Sequence, residues 1–313
     1  MARRRRKAFL DALAGHGTVA LLGGLRLIDR RRIAPGTAWL LRRIGPLLKE
    51  QKIARAQLVA AFPEKSADEI ERIIDGMWDN LGRVAAEFAH MDRFRVEDPD
   101  SPGPVDITYS PETFARFHRL RTDGKPALIF TAHLANWELP AVVAAAHGLD
   151  AISVYRRPNI GAAADAVVAI RSGAMGELMA TSMDAPVKLA DALAHGRHIG
   201  MLVDQYAVRG VPVTFFGRPT RANALLARLA RHVDCPIHGV RMIRLPDKRN
   251  FRAELTEAVP PVRDADGALD VQGTMQAVTS VIEGWVREYP EQWLWAHRRW
   301  RPEDEKRAHV ASS

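Results

Sequence analysis

The stretch ALIFTAHLANWELP, residues 127–140, decides the fold class and gives the first chemical clue. Ala127 to Thr131 is a short apolar run of strand type. Pro140 is tolerated only in the first turn of a helix, so the spacing predicts a helix beginning close to Asn136 or Trp137. His133 then stands at the C-terminal mouth of a strand, and Glu138 lies across the strand-to-helix turn. On a continuous helix five residues rotate by about 500°, which leaves the two side chains about 140° apart. Across a turn they can converge, and a carboxylate that fixes a histidine's tautomer makes a general base. No G-x-S-x-G serine is present, so the expected base acts on a hydroxyl supplied by a substrate.

Outward from this segment, short apolar runs alternate with helical patterns. Strands are expected at residues 151–155, 199–203 and 237–245, with a late edge strand at 251–259. Helices are expected at 139–146, 162–170, 185–195, 222–232 and 274–289. Such alternation predicts an α/β sheet flanked by helices, and open sheets of this kind bind ligands outside the carboxyl ends of their strands. Upstream, Ser66-Ala-Asp-Glu69 has the form of a capping box, followed by Ile70, Ile73, Ile74, Met77, Trp78, Leu81, Val84, Ala85 and Phe88 at helical spacing. That stripe reads as core, with Trp78 and Phe88 as candidates for an acyl-chain groove. A Pro- and Asp-rich segment, Glu97 to Pro104, marks the exit from a helical N-terminal region, 1–96, into an α/β domain, 97–313, packed with it.

The composition is globular: 313 residues, 47% hydrophobic and 26% charged. A single cysteine, Cys235, excludes an internal disulfide, a zinc finger and a redox pair. The formal charge of +8 favours anionic partners, and its distribution is lopsided. Residues 1–55 hold 14 Lys and Arg against 3 Asp and Glu, and the remainder is net negative. Between the basic clusters lies an apolar stretch, Ala12 to Leu25, shorter than the ~20 residues a spanning helix needs. Basic residues around a short apolar helix suit an anchor lying in an anionic leaflet, over about residues 8–32; an ordinary basic helix packed on the body is the other reading.

H-x4-D/E after an apolar strand resembles the signature of the glycerolipid-type acyltransferase superfamily, and HLANWE resembles the Glu-containing form found in the late lauroyl/myristoyl acyltransferases of lipid A biosynthesis. Further matches in the same order are VYRRPN (154–159), AIRSGAMGEL around Arg171, MLVDQ (201–205), VPVTFFGRPT (211–220) and EQWLWAHRRWR (291–301). The resemblance implies a central mixed sheet flanked by helices, after a membrane-associating N-terminal region. It also implies transfer of a fatty acyl group from an acyl carrier protein thioester, or acyl-CoA, to a hydroxyl of a lipid A precursor at the cytoplasmic face of the bacterial inner membrane. On these matches His133 is the expected base and Glu138 its orienting partner; no metal, cofactor or covalent acyl-enzyme is expected. Arg156 and Arg171 are expected to hold substrate phosphate. Asp204 is expected to position substrate or an arginine, and Arg218 to help form the acceptor pocket. A lysophospholipid or other lipid acceptor shares the same dyad, and a non-catalytic lipid-binding protein is the alternative of a different class.

Each candidate also has a plain structural reading. Arg156 and Arg157 suit solvated strand-end charges, Asp204 a turn cap, and Phe215 and Phe216 a mixture of core and acyl-pocket lining. Trp293, Trp295 and Trp300 with Arg298, Arg299 and Arg301 have the composition of a nucleic-acid stacking platform. No nucleic-acid motif accompanies them, so tail packing is expected and nucleic acid is not an expected partner. His195 and His198 lack a third ligand for a metal.

Overall fold

The computed structural model describes residues 15–157 and 161–304, with the backbone alone at 161–163. Four helices lead: α1 (15–26), α2 (Arg30–Ile44), α3 (Lys49–Ala61) and α4 (Ala67–Phe88). The α/β part follows with β1 (Ile107–Tyr109), α5 (Pro111–Thr122), β2 (Leu128–Thr131), α6 (Leu139–Ala146), β3 (Ala151–Tyr155), α7 (Gly161–Ser172) and β4 (Glu177–Ala180). It continues with α8 (Ala185–Ala194), β5 (His198–Leu202), β6 (Val211–Phe215), β7 (Arg218–Ala222), α9 (Leu225–Val233), β8 (Ile237–Arg244), β9 (Phe251–Ala258) and α10 (Val271–Glu288).

Seven strands form one mixed sheet in the order β1-β9-β8-β2-β5-β3-β4, in which only the β8–β9 pairing is antiparallel. Strand alternation sends Phe130, Ile152, Ile199, Met201 and Ile237 into one apolar cluster with α4, α8, α9 and α10. Ile129, Ala151 and Val240 face the other way, towards α5 and α6. The central strands are therefore covered on both faces, as parallel strands require. Side chains of α3 and α4, among them Leu58, Ile74 and Trp78, belong to the same cluster as the sheet, so the N-terminal helices and the sheet share one core.

The sequence expectations for β2, β3, β5, β8 and β9 lie within a residue of the observed strands. The capping box forms: Ser66 Oγ accepts from the Glu69 amide and the Glu69 carboxylate accepts from the Ser66 amide. Two expectations need correction. The helix after β2 begins at Leu139 rather than near Asn136, because residues 132–138 are pinned as a turn. The helix expected from Ala222 begins at Leu225, because Ala222 ends a two-stranded hairpin, β6–β7. That hairpin turns on Phe216 and Gly217, both at positive φ (52° and 69°), the twist a two-residue hairpin loop demands.

Among the described residues no helix is long and apolar enough to cross a membrane. Part of the apolar stretch is α1; the tract Arg3 to Lys7 and residues 12–14 lie outside the described residues. Several N-terminal arginines are held in ion pairs. Arg26 pairs with Asp92, Arg30 and Arg31 with Asp106, Arg42 with Asp75 and Arg55 with Glu71. Arg30 is buried, its guanidinium 4.1 Å from the Phe94 ring centroid.

Helix α2 crosses α4 closely enough that a Cβ on Gly82 would sit 2.5 Å from Ala38 Cα, so only glycine fits there. Near its C-terminus α4 is also tied to β8 by charge. Glu87 accepts from Arg244 at 2.5 and 2.9 Å, with both side chains almost fully buried. Asn80 accepts from Arg244 Nε at 2.8 Å. A buried pair is costly to break from one side only. Glu87→Leu is therefore expected to destabilise the fold by about 3–5 kcal/mol, and adding Arg244→Met is expected to recover most of that loss, as measured by denaturant unfolding.

Candidate active site

The turn after β2 is built by backbone satisfaction. The Asn80 amide donates to the carbonyls of Ala135 and Gln292, and the Ala135 amide donates to Gln292 O. The Leu294 amide donates to His133 O. Asn136 is fully buried; its amide donates to Glu87 at 3.0 Å and its carbonyl accepts from the Glu138 amide. These contacts hold Ala135 at φ 48°, a left-handed conformation that a non-glycine residue keeps only when its surroundings over-determine it.

His133 is presented at the mouth of the sheet with its carboxylate partner already in place. Asp204 Oδ1 lies 2.8 Å from His133 Nδ1, and Asp204 Oδ2 accepts from the His133 amide and from Trp293 Nε1, each at 2.8 Å. Burial opposes ionisation of Asp204, but the His133 charge, the two His133 hydrogen bonds and the Trp293 N–H outweigh it and hold the carboxyl at about 2. An ionised Asp204 requires the Nδ1 proton and leaves Nε2 as the acceptor, the tautomer a general base needs. Gln205 Nε2 is 3.2 Å from His133 Nε2 and 3.0 Å from His297 Nε2. Burial, followed by the nearby His133 charge, pushes the His297 pKa down. His297 is carried by a C-terminal segment clasped by Gln57 of α3, which donates to the carbonyls of Trp295 and His297 and accepts from the Arg299 amide.

Glu138 occupies a different place from the one expected. Its two carboxylate oxygens are taken by Arg171 in a forked pair, Nε at 2.9 Å and the terminal nitrogen at 2.5 Å. The carboxylate on His133 is Asp204, so the expected His133–Glu138 pairing is replaced by His133–Asp204 and Glu138–Arg171. Arg171 is accordingly engaged within the protein, whereas Arg156 is exposed at the cavity mouth. Arg157 pairs with Asp165. Arg218 does not line the cavity; it lies on β7 with its guanidinium 5.3 Å from the Trp300 ring. The FGRP motif is the hairpin turn rather than a pocket wall.

Behind His133 a cavity of about 740 Å³ runs between the sheet and helices α5 and α6. Its mouth carries His133, Trp137, Glu138, Arg156 and Arg171; its depth is walled by Phe117, Leu120, Leu149 and Leu255. Trp78 and Phe88, the groove candidates of the sequence, do not line it: Trp78 is core and donates to Gln51, and Phe88 packs outside the cavity against Met91 and its neighbours. Phe215 and Phe216 are core rather than pocket lining, packed against Trp293, Trp295 and Trp300. Those three indoles are buried and their N–H groups donate to Asp204, Pro290 O and Phe215 O, so they form no stacking platform. His195 caps α8 and His198 lies buried in β5.

Gln205, Trp293 and His297 stand within quoted motifs but were not singled out for the site by sequence reasoning. The pairing of His133 with Asp204 comes from strand register, which the linear sequence does not carry. Thr131 pairs with Leu202 in parallel register, so the residues two further on, His133 and Asp204, fall side by side at the ends of adjacent strands.

The family model for bacterial lipid A biosynthesis acyltransferases matches residues 8–302. The chain belongs to that family. No curated protein matches the acyltransferase in a sequence search.

In the acyltransferase, Asp204→Asn would keep its oxygen towards the His133 amide and Trp293 and turn its NH2 group onto Nδ1. That arrangement forces the proton onto Nε2. The expected result is a fall in kcat of roughly 10⁴-fold with KM little changed, measured by steady-state acyl transfer. The carboxylate's contribution to stability is complete above pH 3.8 and is lost as pH falls towards about 2, so the stability gap between wild type and variant should close over that window.

Proposed function

We propose that the protein moves a fatty acyl chain from an acyl carrier protein thioester to a hydroxyl of a lipid A precursor, with His133 as general base oriented by Asp204. The observation that carries this reading is the His133 Nδ1–Asp204 contact of 2.8 Å at the mouth of a largely apolar cavity. The acceptor hydroxyl gives its proton to His133 Nε2 as its oxygen forms a bond to the thioester carbonyl carbon. The tetrahedral intermediate then collapses, the carbon–sulfur bond breaks, and the imidazolium returns the proton to the departing thiolate. The products are the ester and the free thiol.

The resting site has Gln205 against Nε2, so the incoming hydroxyl takes its place. The displaced amide remains beside the reacting carbon and, on this reading, donates to the developing oxyanion. Arg156 at the mouth suits a phosphate of the acceptor. The partly buried pair of Glu138 and Arg171 keeps the first turn of α6 and the cavity rim in place. The acyl chain of the donor fills the cavity.

The reading extends to the membrane. Trp39, Leu40, Leu47 and Leu48 are exposed on α2 and the turn that follows it, with Arg32, Arg43, Lys49 and Lys52 exposed nearby. Apolar side chains beside basic ones suit a seat on an anionic leaflet, which is where the acceptor lipid resides.

Two outcomes are expected. Purified protein transfers acyl groups from acyl carrier protein thioesters to a hydroxyacylated, phosphorylated glucosamine disaccharide lipid, and His133→Ala abolishes the transfer while Tm is retained. Transfer to lysophospholipid alone would select the other acceptor class, and full activity in His133→Ala would overturn the mechanism. Protein also cosediments with phosphatidylglycerol-containing vesicles and not with purely zwitterionic ones; Trp39→Glu with Leu47→Glu weakens that binding.

A further inference from the structure

The cavity has a level at which its width is set by the lack of a side chain. Gly200 lies in β5 between Ile129 of β2 and Ser153 of β3, its register partners on the two sides. All three line the cavity. Their neighbours Phe130, Ile152 and Ile199 belong to the cluster on the opposite face, so alternation aims position 200 at the cavity. A Cβ built on Gly200 meets only Ile152 O, at 4.0 Å, and otherwise enters open space. Its backbone is not at positive φ, so conformational freedom does not explain the glycine. The space it leaves does.

Position matters as much as size. Ile129 is four residues upstream of His133, which at roughly 3.3 Å per residue puts the Gly200 row about 13 Å from the base along the strands. Beyond that row the walls are Ala151 and Leu149, with Leu120 and Phe117 of α5 beside them. His147 also lines the cavity, and burial pushes its pKa down, which favours the uncharged ring beside an alkyl chain. The passage therefore continues past Gly200 into an apolar end.

We propose that Gly200 is the chain-length determinant of the acyl pocket: it is the gap in the floor through which the distal methylenes of the donor chain pass into the apolar end of the cavity. This rests on the proposed reading that His133 acts at the cavity mouth and the acyl chain lies in the cavity. A side chain at position 200 would close the far end while leaving the mouth, His133 and Asp204 untouched.

The test uses the full-length protein, a lipid A precursor acceptor and saturated acyl carrier protein thioesters graded from octanoyl to palmitoyl, with products weighed by mass spectrometry. Gly200→Leu is expected to lower kcat/KM for the longest chains that the wild type accepts by roughly tens of fold relative to the shortest, which remain substrates. Gly200→Ala is expected to move the profile the same way by less, and decides the matter should Gly200→Leu fail to fold. A wild-type chain-length profile in an active, folded Gly200→Leu would overturn the proposal, as would an equal loss at every length. If the wild type itself transfers no acyl group from any thioester, the fault lies in the functional reading rather than in Gly200.

Discussion

The arrangement of the site depends on one buried charge. Asp204 is almost wholly removed from solvent, and a carboxylate there is tolerable only if it is supplied with hydrogen-bond donors. Three arrive from two distant parts of the chain: the amide and the ring of His133 at the end of β2, and the indole of Trp293 beyond α10. The same contacts that satisfy the charge align the His133 ring, join the edges of β2 and β5, and fasten the C-terminal segment across the sheet mouth. The structural requirement on Asp204 is thus the same as the requirement of the proposed mechanism.

A second buried network grips the turn from the other side. Glu87 on α4 accepts from Arg244 on β8 and from Asn136 in the turn, and Asn136 in turn accepts from the Glu138 amide. Asn80, about two helical turns earlier, holds the Ala135 and Gln292 carbonyls. A turn containing a residue at positive φ has little intrinsic stability, so it is rigid because two networks leave it no alternative. Rigidity of this kind is what a general base needs, since its geometry must be set before the substrate arrives. The N-terminal helices are therefore part of the site's support, through Asn80 and Glu87 of α4 and Gln57 of α3, as well as the region proposed to meet the membrane.

Much of the fold was legible. Apolar runs bounded by turn residues marked β2, β3, β5, β8 and β9, and the capping box at Ser66 marked α4, because strand and helix burial each leave a local periodicity. The hairpin β6–β7 was not legible: its Phe-Phe-Gly turn puts a bulky residue where glycine or asparagine is usual, and Phe216 is held there by packing against Phe62 and Trp295. The N-terminal basic excess was legible as a count but not as a surface, because Arg30 and Arg31 face Asp106, a residue some seventy-five positions away.

His133 and Glu138 could be picked out of the linear sequence from their place at a strand end, and Arg171 and Asp204 from the family motifs they resemble. Which carboxylate serves which cation was beyond it. Nearness along the chain favoured Glu138 for His133, but a parallel sheet makes neighbours of residues whole crossovers apart: β2 and β5 lie side by side, and their register sets Asp204 opposite His133. That leaves Glu138 to Arg171 at the end of α7. The identities of the candidate groups were legible in short stretches of sequence, whereas their pairing was decided by strand order, which is a property of the folded sheet.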